Sequence, residues 1–252
     1  MISITPDKTD SCAVIGYENL LITTSDAPLA LTPNTYQRYE LPNSATTIKF
    51  QLEALTSINY IALGAHNLGT HDGGVEVLIE YATTIGGSLT EIDTINPTDN
   101  EAIMILLDDL SVAEIALTAT TPEWGAKIGV IQAGNYLRME QPIYGGHSPI
   151  DLSPDIDYQD SLSETGQFLG RNIATKGTES SFSWQHLSPS WVRGTLKPFM
   201  IHARTLPFFI KWRPDLYDST VYGYSGLMKP VNMAGGSGLM AVEMTMRGHN
   251  DV

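Results

Sequence analysis

The sequence contains a single cysteine, Cys12, among 252 residues. One thiol cannot form a disulfide within the chain, and it cannot supply a cysteine-based zinc cluster. Long apolar stretches are missing as well, because the longest uninterrupted run covers residues 102–107, far short of the roughly 20 residues of a membrane-spanning helix. The first residues show no basic segment followed by an apolar core, as a secretory signal would. We therefore expect a soluble protein with no membrane insertion.

Basic residues are scarce in the first part of the chain. Residues 1–146 have 5 Lys and Arg against 18 Asp and Glu, a balance of −13, whereas residues 147–252 have 9 against 10, a balance of −1. Nucleic acid is not an expected partner, because phosphate binding needs a cationic face. The uneven charge indicates two domains with different surroundings.

Recognisable catalytic motifs are also missing. The sequence has no G-x-S-x-G nucleophile elbow, no Walker A or G-x-G-x-x-G loop, and no H-E-x-x-H zinc motif. We predict no catalytic residues, no cofactor and no enzyme activity. A glycan hydrolase whose acidic residues are dispersed along the chain stays open as an alternative.

The sequence does contain alternating apolar and polar residues, the pattern of half-buried strands. Residues 57–81 hold two strand-like runs around a polar loop, and residues 46–52 and 112–118 alternate with a period of two. A last strand is predicted at 126–136. Seven or eight strands with few helix signals predict a β-sandwich or jelly roll over residues 1–146.

Residues 147–162 interrupt this pattern, and we predict a linker there. They contain prolines with Asp151, Asp155, Asp157 and Asp160, and the spacing of these acids does not fit a calcium-binding loop. In residues 163–252 we predict a helix within 186–203 that breaks at Pro198. The strands predicted around that helix cover 166–173, 179–184, 206–212, 221–228 and 239–246.

One stretch of the first domain resembles a known family. Ala65, His66, Asn67 and Leu68, followed by residues 75–81, are similar to the middle of a discoidin-type, galactose-binding-like β-sandwich. The resemblance extends over most of the predicted first domain. It implies a fold that serves for sugars, lipids and plain packing alike.

If the sandwich binds a sugar, its candidate ligands are His66, Asn67, His71, Asp72 and Trp124. An aromatic ring stacks on a pyranose face while polar loop residues bond the hydroxyl groups. His66, His71 and Asp72 share a loop, and a metal site there is a further hypothesis. Because no cysteine and no fourth donor is obvious, we instead expect water or backbone to satisfy both imidazole rings. The alternative for the tryptophan is packing against a neighbouring domain or subunit.

The second domain resembles the tail-tube-like domain of bacteriophage tail tips, above all the belt domain of siphophage distal tail proteins. The resemblance lies in Gly170-Arg171 and in residues 207–212, 221–224 and 240–249. In distal tail proteins the ring-forming domain precedes the accessory sandwich, whereas the predicted order here is reversed. The chain is therefore either a distal tail protein proper or another minor tail protein with the ring fold.

This resemblance implies a structural protein of the tail tip or baseplate. The expected assembly is a homo-oligomeric ring, with six copies as the expected number, which joins the tail tube to the hub and the receptor-binding proteins. Such a protein is made in the host cytoplasm and ends in the virion. A host surface glycan is a further expected partner, and the alternative function is a carbohydrate-binding module of a host-recognition protein.

Aromatic and arginine side chains of the second domain are the predicted subunit contacts, with the domain core as the alternative place for the aromatics. These candidates are Arg171, Trp184, Trp191, Arg193, Phe208, Trp212, Tyr222 and Tyr224.

Overall fold

The computed structural model describes residues 11–23, 28–41, 46–70, 75–119, 125–233 and 238–249. The fold is mainly β with one helical segment, as the sequence predicts. The strands are β1 Val14–Gly16, β2 Leu21–Thr23, β3 Tyr39–Glu40, β4 Thr46–Gly64, β5 Val77–Ala82, β6 Thr90–Ile95, β7 Ile103–Ala119, β8 Lys127–Ile128, β9 Val130–Gly134, β10 Tyr136–Arg138, β11 Pro154–Leu162, β12 Phe168–Leu187, β13 Phe208–Lys211, β14 Thr220–Ser225, β15 Val231–Asn232 and β16 Met240–Gly248.

A six-stranded sheet forms the sandwich part. Its strand order is β2-β4-β7-β5-β6, with β9 also paired to β4, and β3 pairs with β8 in a separate short sheet. The predicted alternation holds in β4, where Ile48, Phe50 and Leu52 are all buried in the sandwich core. Period-two alternation places these side chains on one face, because successive residues of a strand point to opposite sides.

The eight-stranded sheet draws strands from both ends of the chain. Its order is β10-β1-β13-β14-β16-β12-β11, with β15 also paired to β16. Val14 of β1 lies opposite Arg138 of β10 on one side and Lys211 of β13 on the other. The chain therefore enters this sheet before the sandwich and returns to it afterwards, so the boundary predicted after residue 146 does not separate the two sheets. Strands of three residues are too short to show a sequence period.

The segment 147–162 differs from the predicted linker, because it contains strand β11. β11 pairs antiparallel with β12 from Pro154 opposite Thr178 to Leu162 opposite Phe168. The strands predicted at 166–173 and 179–184 are parts of the single strand β12. The sequence hides β11 because most of its side chains are exposed, so nothing requires apolar residues to alternate with polar ones. We call residues 154–178 the ribbon.

The predicted helix is present and changes its winding just before Pro198. α1 covers Pro189–Trp191, a π-helical turn covers Val192–Leu196, and α2 covers Lys197–His202. Pro198 has no N–H to donate, and in a regular α-helix its ring collides with the carbonyl four residues earlier. A wider π turn accommodates such a misfit. Within the described residues no helix is both long and apolar enough to cross a bilayer.

A third apolar cluster joins the two sheets. Val14, Tyr60, Met104, Phe209 and Tyr222 are buried together in it. The Tyr60 hydroxyl also donates to the backbone oxygen of Glu18. Because strands of both sheets contribute to this cluster, their relative placement is held by close packing.

The sandwich also contains a buried carboxylate, that of Glu114. Its Oε1 accepts a hydrogen bond from Lys49 Nζ at 2.8 Å, and its Oε2 accepts one from the Gly86 amide at 3.2 Å. Burial opposes the charged form, but these hydrogen bonds and the lysine charge outweigh it and lower the pKa of Glu114. A lowered pKa in the folded state stabilises the protein above the pKa of the unfolded chain, and this stabilisation is lost as the pH falls through the folded value.

We expect Glu114→Gln to lower the free energy of unfolding by about 1–2 kcal/mol at neutral pH, since charge-assisted hydrogen bonds become neutral ones. The loss should shrink as the pH falls below about 4.5, the ordinary range of a glutamate pKa. Urea unfolding at several pH values measures both effects. The exposed Glu91 gives the control, Glu91→Gln, and an equal loss at every pH would contradict the ionic contribution.

Candidate functional site

The described sugar-binding candidates of the sandwich have structural roles. The ring of His66 is fully buried, and its Nδ1 accepts a hydrogen bond from the Leu68 amide at 3.4 Å. Asn67 Oδ1 accepts one from the Lys127 amide at 2.5 Å, which ties the end of β4 to β8. A buried ring cannot contact a sugar, so the prediction is wrong for His66. His71, Asp72 and Trp124 lie outside the described residues.

Four of the predicted subunit contacts are buried within the chain, so the prediction is wrong for them. Trp184, Phe208 and Trp212 belong to the core of the eight-stranded sheet, and Tyr222 belongs to the cluster between the sheets. Burial raises the pKa of the Tyr222 hydroxyl, which donates to the Pro33 carbonyl at 3.2 Å. The helical segment contributes to the core of the eight-stranded sheet. These four rings therefore pack inside the chain and are not available for contact with another subunit.

The other candidates stay accessible. Trp191 is half-buried against the core, whereas Arg171 and Arg193 are exposed. Tyr224 keeps 57% of its surface exposed. Their role in subunit contacts stays a prediction.

The ribbon carries a group of large exposed apolar side chains. These are Tyr158, Leu162, Phe168, Leu169 and Ile173, each more than half exposed. β11 is the last strand of its sheet, so its outer edge has no strand partner among the described residues. An unpaired edge beside exposed apolar residues is a surface that other chains bind.

An ion pair stiffens the ribbon. Arg171 Nε and Nη2 donate to the two carboxylate oxygens of Asp160 at 2.5 Å and 2.9 Å. The same guanidinium lies 4.6 Å from the centre of the Tyr158 ring. The hydrogen bond from Arg171 lowers the pKa of Asp160. Since a two-stranded ribbon is only marginally stable in water, this cross-strand pair helps to keep the apolar side chains in one arrangement.

The helical segment presents basic side chains to solvent. Arg193 and Lys197 are exposed along it. Among the described residues, no carboxylate lies within 4.0 Å of either side chain. In a chain with a net charge of −14, this cationic helix face is complementary to the acidic surface of another molecule.

An acidic groove of about 580 Å³ lies at the sandwich end of the junction. Asp93, Asp99, Glu101 and Asp218 line it, together with the buried Lys211, which donates to Asp218 and, at 3.1 Å, to the Met104 carbonyl. Because these four carboxylates outnumber the one lysine, the groove is an anionic surface, of opposite sign to the cationic helix face. The described residues contain no group of three or more His, Cys, Asp or Glu that could hold a metal ion.

A second cavity, of about 630 Å³, opens between the sandwich and the eight-stranded sheet. We call it the inter-sheet cleft. Its lining includes the polar, charged or aromatic side chains of Asp155, Thr178, Arg204, Tyr224, Ser225 and Arg247. Sequence reasoning missed this cleft because its residues come from the ribbon, the end of the helical segment, β14 and β16, and no local spacing links them.

Comparison with known proteins gives only distant likenesses. No protein-family model matches the chain, and no curated protein matches it. A family 89 glycoside hydrolase from Clostridium perfringens aligns at 16% identity and a TM-score of 0.37, over 50% of this chain but only 14% of that one. The present chain thus corresponds to a small part of that enzyme.

Carbohydrate-binding modules also align with this chain at low identity. CBM32-1 from a family 31 glycoside hydrolase of Clostridium perfringens aligns at 12% identity and a TM-score of 0.37, over 48% of this chain and 93% of the module. Truncated AlyQ, with CBM32 and alginate lyase domains, aligns at 14% identity and a TM-score of 0.39, over 83% of this chain and 56% of that one. At identities of 12–16% and TM-scores below 0.4, these likenesses decide neither function nor catalysis.

Proposed function

We propose that the protein is a self-assembling structural subunit, and that its assembly is a ring at the tip of a long, non-contractile bacteriophage tail, between tube and hub. The observation that supports self-assembly is the ribbon, which exposes apolar side chains such as Phe168 and Leu169 beside the open edge of β11. The virion role rests on the resemblance of the second domain to tail-tip proteins. Such a role needs no catalytic chemistry.

The proposed occupant of the ribbon is a second copy of this chain. An open edge strand pairs with an edge of another sheet, and a closed ring removes both edges from solvent. The charges favour contact between copies as well, because the cationic helix face and the acidic groove lie on the same molecule and have opposite signs. Two different complementary surfaces give head-to-tail contacts, and head-to-tail contacts that close give a ring.

We expect the protein to form a discrete oligomer in native mass spectrometry and sedimentation, and the triple variant Leu162→Ser, Phe168→Ser, Leu169→Ser to be monomeric. Loss of these apolar contacts removes hydrophobic association. Because the three side chains are outside the core, the variant should unfold at nearly the same urea concentration as the unmodified protein.

The matched control is Ile85→Ser, at a side chain that is 58% exposed on the sandwich, away from the ribbon. It should leave the oligomer intact. A monomer at every concentration of the unmodified protein, or an oligomer that survives the triple variant, would contradict the proposal.

Carbohydrate recognition is the second candidate function. It is favoured by the inter-sheet cleft, where the exposed Tyr224 ring lies beside hydroxyl and guanidinium groups. An open aromatic face with nearby polar groups suits a sugar, since one side of a pyranose is apolar and its edge carries hydroxyls. This candidate is compatible with assembly, because a ring can also bind a host surface.

A further inference from the structure

The inter-sheet cleft is a preformed site. Pro33 and Thr35 border it from the sandwich side, while β14 and β16 form its other wall. Tyr222 lines the cleft and is also part of the buried cluster that joins the two sheets. The walls are thus fixed by packing, and a volume of about 630 Å³ is in the usual range of small-molecule sites.

Two hydroxyl groups in the cleft lack protein partners. Thr178 is 7% exposed and Ser225 is half-buried, and neither Thr178 Oγ1 nor Ser225 Oγ has a hydrogen-bond partner among the described residues. Buried polar groups in folded proteins are almost always hydrogen-bonded. Two such hydroxyls on one cavity are free to bond a water or a ligand group that can both donate and accept hydrogen bonds.

The cleft also holds one guanidinium without an internal carboxylate. Arg204 has no carboxylate of the described residues within 4.0 Å. Arg247 differs, because its Nε donates to Glu179 Oε2 at 2.6 Å. Arg204 is thus the cation that is available to an anionic ligand.

The negative charge of Asp155 limits which anionic ligands fit the cleft. Its carboxylate belongs to the same cleft, at the base of the ribbon, and its backbone lies opposite Gly177, next to Thr178. A polyphosphate or nucleic acid would bring several negative charges close to it. A molecule with one carboxylate and several hydroxyls fits better, because its carboxylate can pair with Arg204 while its hydroxyls donate to Asp155.

We propose that the inter-sheet cleft binds an acidic saccharide. The apolar face of a pyranose stacks on Tyr224, its hydroxyls bond Thr178, Ser225 and Asp155, and its carboxylate pairs with Arg204. This inference deepens the second candidate function and rests on it. It places the sugar between the two sheets, in a cleft that neither His66 nor Asn67 lines.

Calorimetric titration of the full chain tests the site, with short oligogalacturonides, short mannuronate-rich alginate oligomers and sialyllactose as acidic probes, and galacto-oligosaccharides, β-1,4-manno-oligosaccharides and lactose as their neutral counterparts. We expect one acidic probe to bind about tenfold or more tightly than its neutral counterpart, the effect of one well-placed charged contact. Arg204→Gln should abolish this preference, and Tyr224→Ala should remove measurable binding.

Ser225→Ala should weaken binding about fivefold through the loss of one hydrogen bond. The matched controls Arg193→Gln and Tyr144→Ala change exposed residues outside the cleft and should leave binding unchanged. Thermal unfolding of each variant shows whether it is folded.

Several outcomes would overturn the site. Equal affinity for acidic and neutral probes removes the role of Arg204, and binding that persists in folded Tyr224→Ala places the sugar elsewhere on the protein. No binding to any probe overturns both the site and the second candidate function. Assembly is measured separately, so an intact oligomer in Arg204→Gln, and sugar binding that survives the ribbon variant, keep the two proposals distinguishable.

Discussion

Tyr60→Ala is expected to lower the free energy of unfolding by about 4 kcal/mol, as truncation of a large buried aromatic does. The Tyr60 ring is fully buried at the junction of the two sheets. An ideal Cβ placed on Gly16 would lie only 2.6 Å from Tyr60 Cε2, which shows how closely the backbone of β1 approaches the ring. Removing the ring leaves a cavity that the paired strands around it cannot fill.

Urea unfolding measures this loss. Tyr60→Phe is the control, because it keeps the ring and removes only the hydroxyl, which donates to the Glu18 carbonyl and lies 3.5 Å from Gln132 Oε1, at an expected cost of about 1–2 kcal/mol. If the alanine variant lost no more than the phenylalanine variant, the ring would not hold the junction. The alanine variant should also weaken sugar binding in the inter-sheet cleft, because the junction fixes the cleft walls, whereas the phenylalanine variant should not.

Gly223→Ala is expected to cost about 3 kcal/mol, at the upper end of ordinary overpacking. A Cβ at this position would lie 2.2 Å from the Arg247 carbonyl oxygen and 2.8 Å from the Gly248 Cα. Both contacts are with the backbone of β16, which pairs directly with β14. A flexible side chain could rotate away from the new methyl group, but a paired backbone strand cannot, so the strands must separate.

Gly226→Ala is the matched control, three residues further along, because no atom lies within 4 Å of a Cβ built there. It should change stability by less than about 0.5 kcal/mol. Equal melting temperatures for Gly223→Ala and Gly226→Ala would show that β14 and β16 can move apart without loss. Since Gly223 and Gly248 both line the inter-sheet cleft, the glycine variant should also impair sugar binding.

Only part of the candidate site could be predicted from the sequence. Sequence reasoning predicted subunit contacts for Arg193 and Tyr224, which are exposed, and equally for Trp184 and Phe208, which are buried. Composition cannot separate these cases, because an aromatic residue on a strand is equally suited to a core and to an interface. Burial depends on which elements cover a sheet face, and that is a property of the whole fold.

The sequence by itself determined the mainly β character, the period of strands such as β4, the helical segment, and the charge difference between the two parts. These features follow from local backbone chemistry and from residues close to one another in the chain. Only the tertiary structure decided that β1 joins the strands of the last hundred or so residues, that an expected linker forms the ribbon, and that Thr178, Arg204 and Tyr224 meet in one cleft. Those arrangements depend on pairing between residues far apart in sequence, where short or exposed strands leave no periodic pattern.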